Sequence, residues 1–170
     1  MKIITNAMLA AGALALGTQA HAFGNQPAPE FYVGGQYSFQ QLKPDFGSDL
    51  DFDTFAGRAG VQINPYLSGE FRAGFGVSGD SGVDMNYFYG FYGRAGLAND
   101  TQFTPYLLVG WNEVEFEVGN NKMDMDGLAY GIGLDFNLDR HLALNAEFVR
   151  MLDKDFGDFD SVNLGVTYSF

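Results

Sequence analysis

The chain has 170 residues, no cysteine, and 21 acidic against 9 basic side chains, a formal net charge of −12. That balance excludes a nucleic-acid binder, whose affinity comes from Lys and Arg neutralising phosphates, and the missing cysteines exclude disulfide stabilisation. Hydrophobic residues make up 46%, with 17 Phe, 9 Tyr, 23 Gly and only 5 Pro, which fits neither a disordered chain nor a helical bundle.

Met1 and Lys2 precede an apolar run from Ile3 to Leu16, and the segment closes on Ala20-His-Ala22. A short positive start, a brief apolar core and a small-x-small ending predict a secretory signal peptide over residues 1–22, cleaved after Ala22. Thr5 and Asn6 interrupt the run, which falls short of the roughly 20 apolar residues that a spanning helix needs. The remainder, residues 23–170, is expected to form one domain. No other apolar stretch in it is long enough for a membrane helix. Residues 23–30 are a Pro-containing lead-in without period.

From residue 31 onward, apolar and small or polar residues alternate in segments of about ten, each bounded by turn residues. Strand one (31–41) sets Phe31, Val33, Tyr37 and Phe39 against Gln36, Ser38 and Gln40. Strand two (53–63) sets Phe55, Ala59, Val61 and Ile63 against Thr54, Arg58 and Gln62, and Asn64-Pro65 makes a tight turn. Strand three (67–77) opposes Leu67, Phe71, Phe75 and Val77 to Ser68, Glu70 and Arg72. Strand four (87–97) opposes Tyr87, Tyr89, Phe91 and Leu97 to Phe88, Tyr92 and Arg94. Strand five starts near Thr104 with Leu107, Val109 and Trp111 outward, but then Glu113, Glu115 and Glu117 alternate with Val114, Phe116 and Val118. This change of parity predicts either a bulge near Asn112 or a strand end already clear of lipid. Strand six (126–137) has Leu128, Tyr130, Ile132, Leu134 and Phe136 against glycines, Asp135 and Asn137, and strand seven (141–151) has Leu142, Leu144 and Phe148 against Asn145, Glu147 and Val149. The last ten residues place Val162, Leu164, Val166, Tyr168 and Phe170 on one parity and Ser161, Asn163, Gly165, Thr167 and Ser169 on the other.

Eight strands is an even number, as single-chain bacterial barrels require. Connections near 64–66, 98–103 and 138–140 read as short, those near 42–52, 78–86, 119–125 and 152–160 as mostly longer. That alternation predicts long loops outside and periplasmic termini. A soluble cup-shaped barrel would turn its apolar face inward. Here the polar parity carries Arg58, Glu70, Arg72, Arg94, Asp135 and Glu147, which do not belong in an apolar cup. The expected fold class is all-β: an eight-stranded antiparallel transmembrane β-barrel in a bacterial outer membrane.

Gly90-Phe-Tyr-Gly-Arg-Ala-Gly96, Thr104-Pro-Tyr-Leu-Leu-Val-Gly110, the Ala-His-Ala cleavage site and the closing Val166-Thr-Tyr-Ser-Phe170 give the chain its likeness to known sequences. With them it resembles the outer-membrane β-barrel family that includes the small OmpA- and OmpX-like barrels. The resemblance covers nearly all of residues 23–170. It implies that Tyr168 and Phe170 form the signal read by the barrel-insertion machinery. No C-terminal peptidoglycan-binding domain is expected, so wall tethering is not implied.

The six inward charges, three of each sign, predict a lumen plugged by ion pairs, because an eight-stranded interior is only just wide enough for side chains. Tyr92 is expected to help fill it. Glu70, Arg94 and Asp135 should lie nearer the periplasm, with Arg58, Arg72 and Glu147 one layer higher. Lipid A-modifying barrels would need a base beside a nucleophile, and the mature chain offers only His141, at a predicted periplasmic turn. No enzyme and no cofactor are therefore expected. Gly74-Phe-Gly-Val-Ser-Gly79 spells a dinucleotide spacing, but no helix follows it.

Asp45, Asp49, Asp51, Asp53, Asp80, Asp84, Glu113, Glu115, Glu117, Asp124, Asp126, Asp153, Asp155, Asp158 and Asp160 gather at the predicted outer end. They read first as a solvated like-charged rim, and second as weak divalent-cation sites bridging to lipopolysaccharide. Exposed anchors for a binding partner reduce to Phe46, Phe156 and Phe159, with Lys43, Lys122 and Lys154 as isolated cations. The partners expected are outer-membrane lipid, lipopolysaccharide and the insertion machinery, around a monomer. A structural role in envelope integrity is the first functional expectation, surface adhesion or recognition the second, and a small non-specific channel the third.

Overall fold

The structure, a computed structural model, describes residues 29–43, 50–78, 83–97, 99–118, 121–153 and 157–170. The predicted signal peptide, together with Asp45, Phe46, Asp49, Asp80, Lys154, Asp155 and Phe156, lies outside the described residues. Period-two sequence becomes eight strands: β1 (Glu30–Lys43), β2 (Leu50–Asn64), β3 (Leu67–Ser78), β4 (Val83–Gly96), β5 (Phe103–Val118), β6 (Asn121–Asn137), β7 (Leu142–Asp153) and β8 (Gly157–Ser169). Each pairs antiparallel with its sequence neighbour, and β1 pairs with β8 to close the barrel. Closure leaves no open edge, so every ladder group finds a partner without water, as a bilayer demands.

The outward parity forms the apolar band. Phe103, Leu107, Val109 and Trp111 on β5, and Leu128, Tyr130, Ile132 and Leu134 on β6, are all exposed. Runs of this kind span about nine residues, the length that carries a tilted strand across the hydrocarbon layer. Phe55 lies opposite Phe75 and Phe71 opposite Phe91, with ring centroids 6.3 and 5.0 Å apart, so aromatic cross-strand pairs stitch β2, β3 and β4 on this face. At the end where β1 begins and β8 finishes, the terminus end, Tyr168 packs edge-on to Phe170 at 5.4 Å and is stacked by His141 at 5.8 Å.

Of the two readings of the parity change along β5, the bulge is corrected and the strand running clear of the apolar band stands; the expected alternation of loop lengths is corrected as well. No bulge occurs at Asn112: β5 keeps unbroken register with β6 from Phe103 to Val118, and Val114 stays on the inward side with Asn112. Irregularities fall elsewhere: on β4 between Met85 and Tyr87, and on β2 between Asp53 and Thr54 and between Gln62 and Asn64. What changes along β5 is the surroundings, not the direction of the side chains: beyond Trp111 the outward parity leaves lipid and turns acidic, while the inward parity turns apolar.

The alternation of loop lengths is also absent. Strands end only 44–49, 79–82, 119–120 and 154–156 apart at the far end, against 65–66, 97–102 and 138–141 at the terminus end. The segments read as long loops are mostly strand, because ladders continue past the apolar band as hairpins. Asp51 and Asp160, read within the connections 42–52 and 152–160, accordingly lie on strands.

Candidate functional site in the barrel interior and its rim

Inward-facing side chains make two storeys. In the lower one, toward the terminus end, glycines make room for large rings. A Cβ on Gly60 would sit 2.3 Å from Tyr32 Cζ, and one on Gly133 2.3 Å from Tyr106 Cζ. The two tyrosines lie flat across these glycines and carry their hydroxyls to the charges. Tyr32 donates to Glu70 at 2.8 Å and Tyr106 to Glu147 at 2.6 Å.

The structure brings all six inward charges into one network. Arg72 Nε donates to Glu70, and its Nη1 and Nη2 reach Glu147 Oε2 and Oε1 at 2.5 and 2.9 Å. Arg58 donates to Glu147 Oε1 at 3.1 Å and to Thr167 at 2.5 Å, and stands 3.8 Å from Glu70. Arg94 pairs with Asp135 at 2.6 Å and approaches Glu70 at 3.5 Å. Glu147 accepts a further bond from Asn163 at 3.3 Å. Its two oxygens thus meet five donors, enough to occupy a carboxylate's roughly four lone-pair sites. Arg72 also lies over the Tyr92 ring at 4.4 Å and Arg94 over Tyr106 at 3.7 Å. Buried ions are tolerated on these terms: each is paired and also hydrogen-bonded. Below the network a polar vestibule of about 290 Å³, lined by Tyr32, Ser68, Arg94, Thr104 and Asp135 among others, opens at the terminus end.

The upper storey is apolar, and this half was not read from the sequence. Phe52, Ala56, Phe88, Val114, Ala129, Val149, Met151 and Phe159 are buried and belong to one cluster that also takes in Tyr92, Tyr106 and Leu108. Phe52 is 1% exposed and Phe159 6%, with ring centroids 6.5 Å apart. Phe159 is therefore not the exposed binding anchor expected of it; it faces the lumen and seals it. The available signal was parity. Met151 ends the inward series of predicted strand seven, and Phe52 and Phe159 join those of their strands once the ladders are extended past the predicted ends.

Where the outward parity leaves the apolar band, carboxylates replace hydrophobes and neighbouring side chains serve them. Glu113 and Asp126 are direct cross-strand partners, an unfavourable like-charge pair by itself. The Tyr89 hydroxyl donates to Glu113 at 2.5 Å and Trp111 Nε1 to Asp126 at 3.3 Å. Glu115 takes bonds from Tyr87 at 2.9 Å and Asn86 at 3.0 Å, and Asp160 is held bidentately by Arg150 at 2.5 and 2.7 Å. Aromatic and Arg donors thus tie the end of the apolar band to the acidic rim. Among the described residues no group of three or more His, Asp or Glu is placed to hold a metal ion.

His141 sits exposed at the β6–β7 turn, its Nδ1 3.0 Å from the Ser169 carbonyl oxygen. Asp139 organises the same turn: its carboxylate accepts from the backbone N–H groups of His141 and Leu142 at 2.7 and 2.9 Å, which holds its pKa below the usual carboxylate value. Gly74 and Gly76 lie within β3, without a following helix.

A family model described as outer membrane protein beta-barrel domain matches residues 8–170. No curated protein sequence matches the chain significantly. Among solved structures, Neisserial surface protein A superposes with a TM-score of 0.63 at 18% identity, over 82% of this chain and 97% of that one. Ail, the attachment invasion locus protein of Yersinia pestis, gives 0.61 at 20% identity, over 83% and 98%. The N-terminal β-barrel domain of Pseudomonas aeruginosa OprF gives 0.64 at 13% identity, over 82% and 97%. At these identities the likeness is one of fold.

Proposed function

Because the chain belongs to the outer membrane protein β-barrel domain family, we propose that it serves as a closed structural barrel of the bacterial outer membrane, contributing to envelope integrity and conducting no solute. The observation that carries this reading is the filling of the interior by two storeys of different chemistry. An ion-pair network that joins all six inward charges lies below an apolar seal, and the vestibule at the terminus end stops at the network. Charges alone can exchange partners and admit water. An apolar storey above them offers an ion no substitute for its hydration shell. The mature barrel starts after Ala22, turns its termini to the periplasm, is inserted through the signal of Tyr168 and Phe170, and works as a monomer against lipid and lipopolysaccharide. Its acidic rim binds divalent cations only loosely, and it carries out no catalysis.

The test is a planar bilayer with purified protein, beside a deletion strain challenged with detergent and chelator. Silent bilayers and a sensitised envelope are expected. Persistent unitary currents would overturn the reading in favour of a small channel.

A second reading, surface recognition, draws on the hairpins that run past the apolar band, most of all β5–β6, whose ladder continues from Glu113 paired with Asp126 to Val118 paired with Asn121. Shortening the far-end connections with Gly-Ser turns at 44–49 and 154–156, outside the strands, separates the two. Loss of attachment to cells or matrix with unchanged detergent and chelator resistance would favour recognition.

A further inference from the structure

We propose that the barrel interior contains a built hydration site: two bound water molecules, seated where the ion-pair storey meets the apolar seal. A cavity of about 30 Å³ lies there, and its polar wall comprises Gln36, Gln40, Arg72, Asn112, Ser161 and Asn163. Four of these side chains share one feature. The buried oxygens Gln36 Oε1, Gln40 Oε1, Asn112 Oδ1 and Asn163 Oδ1 have no hydrogen-bond partner within the protein. Unserved buried acceptors are rare in folded proteins because each has given up its water without return.

Turning the amides over does not resolve this. Asn163 Nδ2 donates to Glu147 Oε2 at 3.3 Å, and rotation would set its oxygen against a carboxylate. Gln36 and Gln40 meet the hydroxyls of Ser38 and Thr54 at 3.4 and 3.0 Å, and a hydroxyl can donate or accept, so each of these amides turns either its oxygen or its NH2 group to the void. The site therefore needs an occupant that both donates and accepts hydrogen bonds, and all four residues line the same void.

Size and valence agree on what that occupant is. A bound water needs on the order of 10–15 Å³ of such volume, so this cavity holds two. Two waters carry four O–H groups and four lone pairs, enough to serve the four amides whichever way Gln36 and Gln40 are turned. Their own oxygens need donors in return. Arg72 has five N–H groups, of which one each from Nε, Nη1 and Nη2 is directed at Glu70 or Glu147, leaving two for the cavity it lines. The Ser161 hydroxyl adds another. A dehydrated monovalent cation would also suit four amide oxygens, but the Arg72 guanidinium on the wall opposes it. The lumen's three arginines and three carboxylates supply no net negative charge to offset that repulsion. An apolar occupant would leave all four oxygens unserved.

Phe88, Met151 and Phe159 also border the cavity, on the side of the seal. These waters are therefore a joint between storeys, exchanging slowly, and not part of a through-path. The inference is independent of the envelope role proposed above.

The test is solution NMR of the folded barrel in micelles. Val114 and Val149 line the cavity and their methyls carry no exchangeable protons, so a cross-relaxation peak to water reports a long-lived bound molecule. Both methyls are expected to show it, whereas the Ala56 methyl, fully buried but not on the cavity wall, shows none. Ser161→Leu fills the cavity and should abolish the peaks. Should that variant not fold, the Gln36→Met, Gln40→Met double variant removes two acceptors and should reduce peak intensity about twofold or more. Absence of water peaks at both methyls in folded wild-type protein would overturn the proposal. So would methyl shifts that follow replacement of sodium by potassium, which would identify a cation instead.

Discussion

Lower and upper storeys fill the same eight-stranded tube by opposite means. The lower sets three guanidiniums and three carboxylates among tyrosines, glycines and amides and survives because none is left alone: Glu147 alone gathers donors from Arg58, Arg72, Tyr106 and Asn163. The upper excludes charge from the lumen and packs Phe52, Phe88, Met151 and Phe159 together. Ion pairing gives the lower half a single arrangement but makes it intolerant of any one deletion. Hydrophobic packing in the upper half is graded, losing stability in proportion to the volume removed. Breaking one storey at a time is how the difference is measured.

Glu147→Ala should have the largest effect, because it leaves Arg58 and Arg72 buried without their shared partner. Removing one member of a buried pair typically costs about 3–5 kcal/mol. The measurement is urea unfolding of the barrel in lipid vesicles. A loss under about 1 kcal/mol would mean that lumen charges are solvated and worth no more than surface pairs. This variant should still be electrically silent in a planar bilayer, since the apolar storey above is intact.

Phe52→Ala comes close behind. Phe→Ala in a well-packed core costs about 3–5 kcal/mol, with the lower end expected where the site can collapse, and Phe52 has the water-bearing cavity region nearby in which to relax. Combining it with Glu147→Ala sharpens the comparison. Conductance appearing only in the double variant would show that each storey closes the lumen independently.

These predictions rest on parts of the molecule that differed in legibility. The band, the eight strands and the inward location of Arg58, Glu70, Arg72, Arg94, Asp135 and Glu147 follow from period two, which a one-residue slip would invert throughout. Three-dimensional pairing did not follow from it: that Tyr32 would serve Glu70 depends on a ring crossing Gly60 on the neighbouring strand. The upper storey was missed for a different reason. Past Trp111 the outward face meets water and the inward face meets other side chains, so polar and apolar parities exchange meaning within one unbroken ladder. Val114 and Glu113 then imitate a bulge, and Phe159 imitates an exposed anchor. Sequence periodicity reports which residues share a face, not which medium that face meets.

Gly133→Val tests the lower storey without touching a charge. The added side chain must displace the Tyr106 ring and with it the bond to Glu147. Overpacking of this kind costs about 1–3 kcal/mol, less than either deletion above. Unchanged stability would show that Tyr106 has another rotamer equally good.

The smallest effect belongs outside both storeys, at the β6–β7 turn. Two backbone N–H groups hold the Asp139 carboxyl below its ordinary range, that of His141 contributing most and that of Leu142 next. A carboxyl depressed in the folded state stabilises at pH above its unfolded value, near 3.9 for Asp, and loses that contribution as pH falls through the folded value. Asp139→Asn keeps an oxygen to accept from the turn but has no charge to lose. The difference in unfolding midpoint between wild type and this variant should therefore be present at pH 6 and shrink toward zero in strong acid, whatever the remaining carboxylates do in both. A difference that stays constant across that range would assign the turn to the neutral hydrogen bonds alone, and the charge of Asp139 would contribute nothing to the hairpin that carries His141 onto Tyr168.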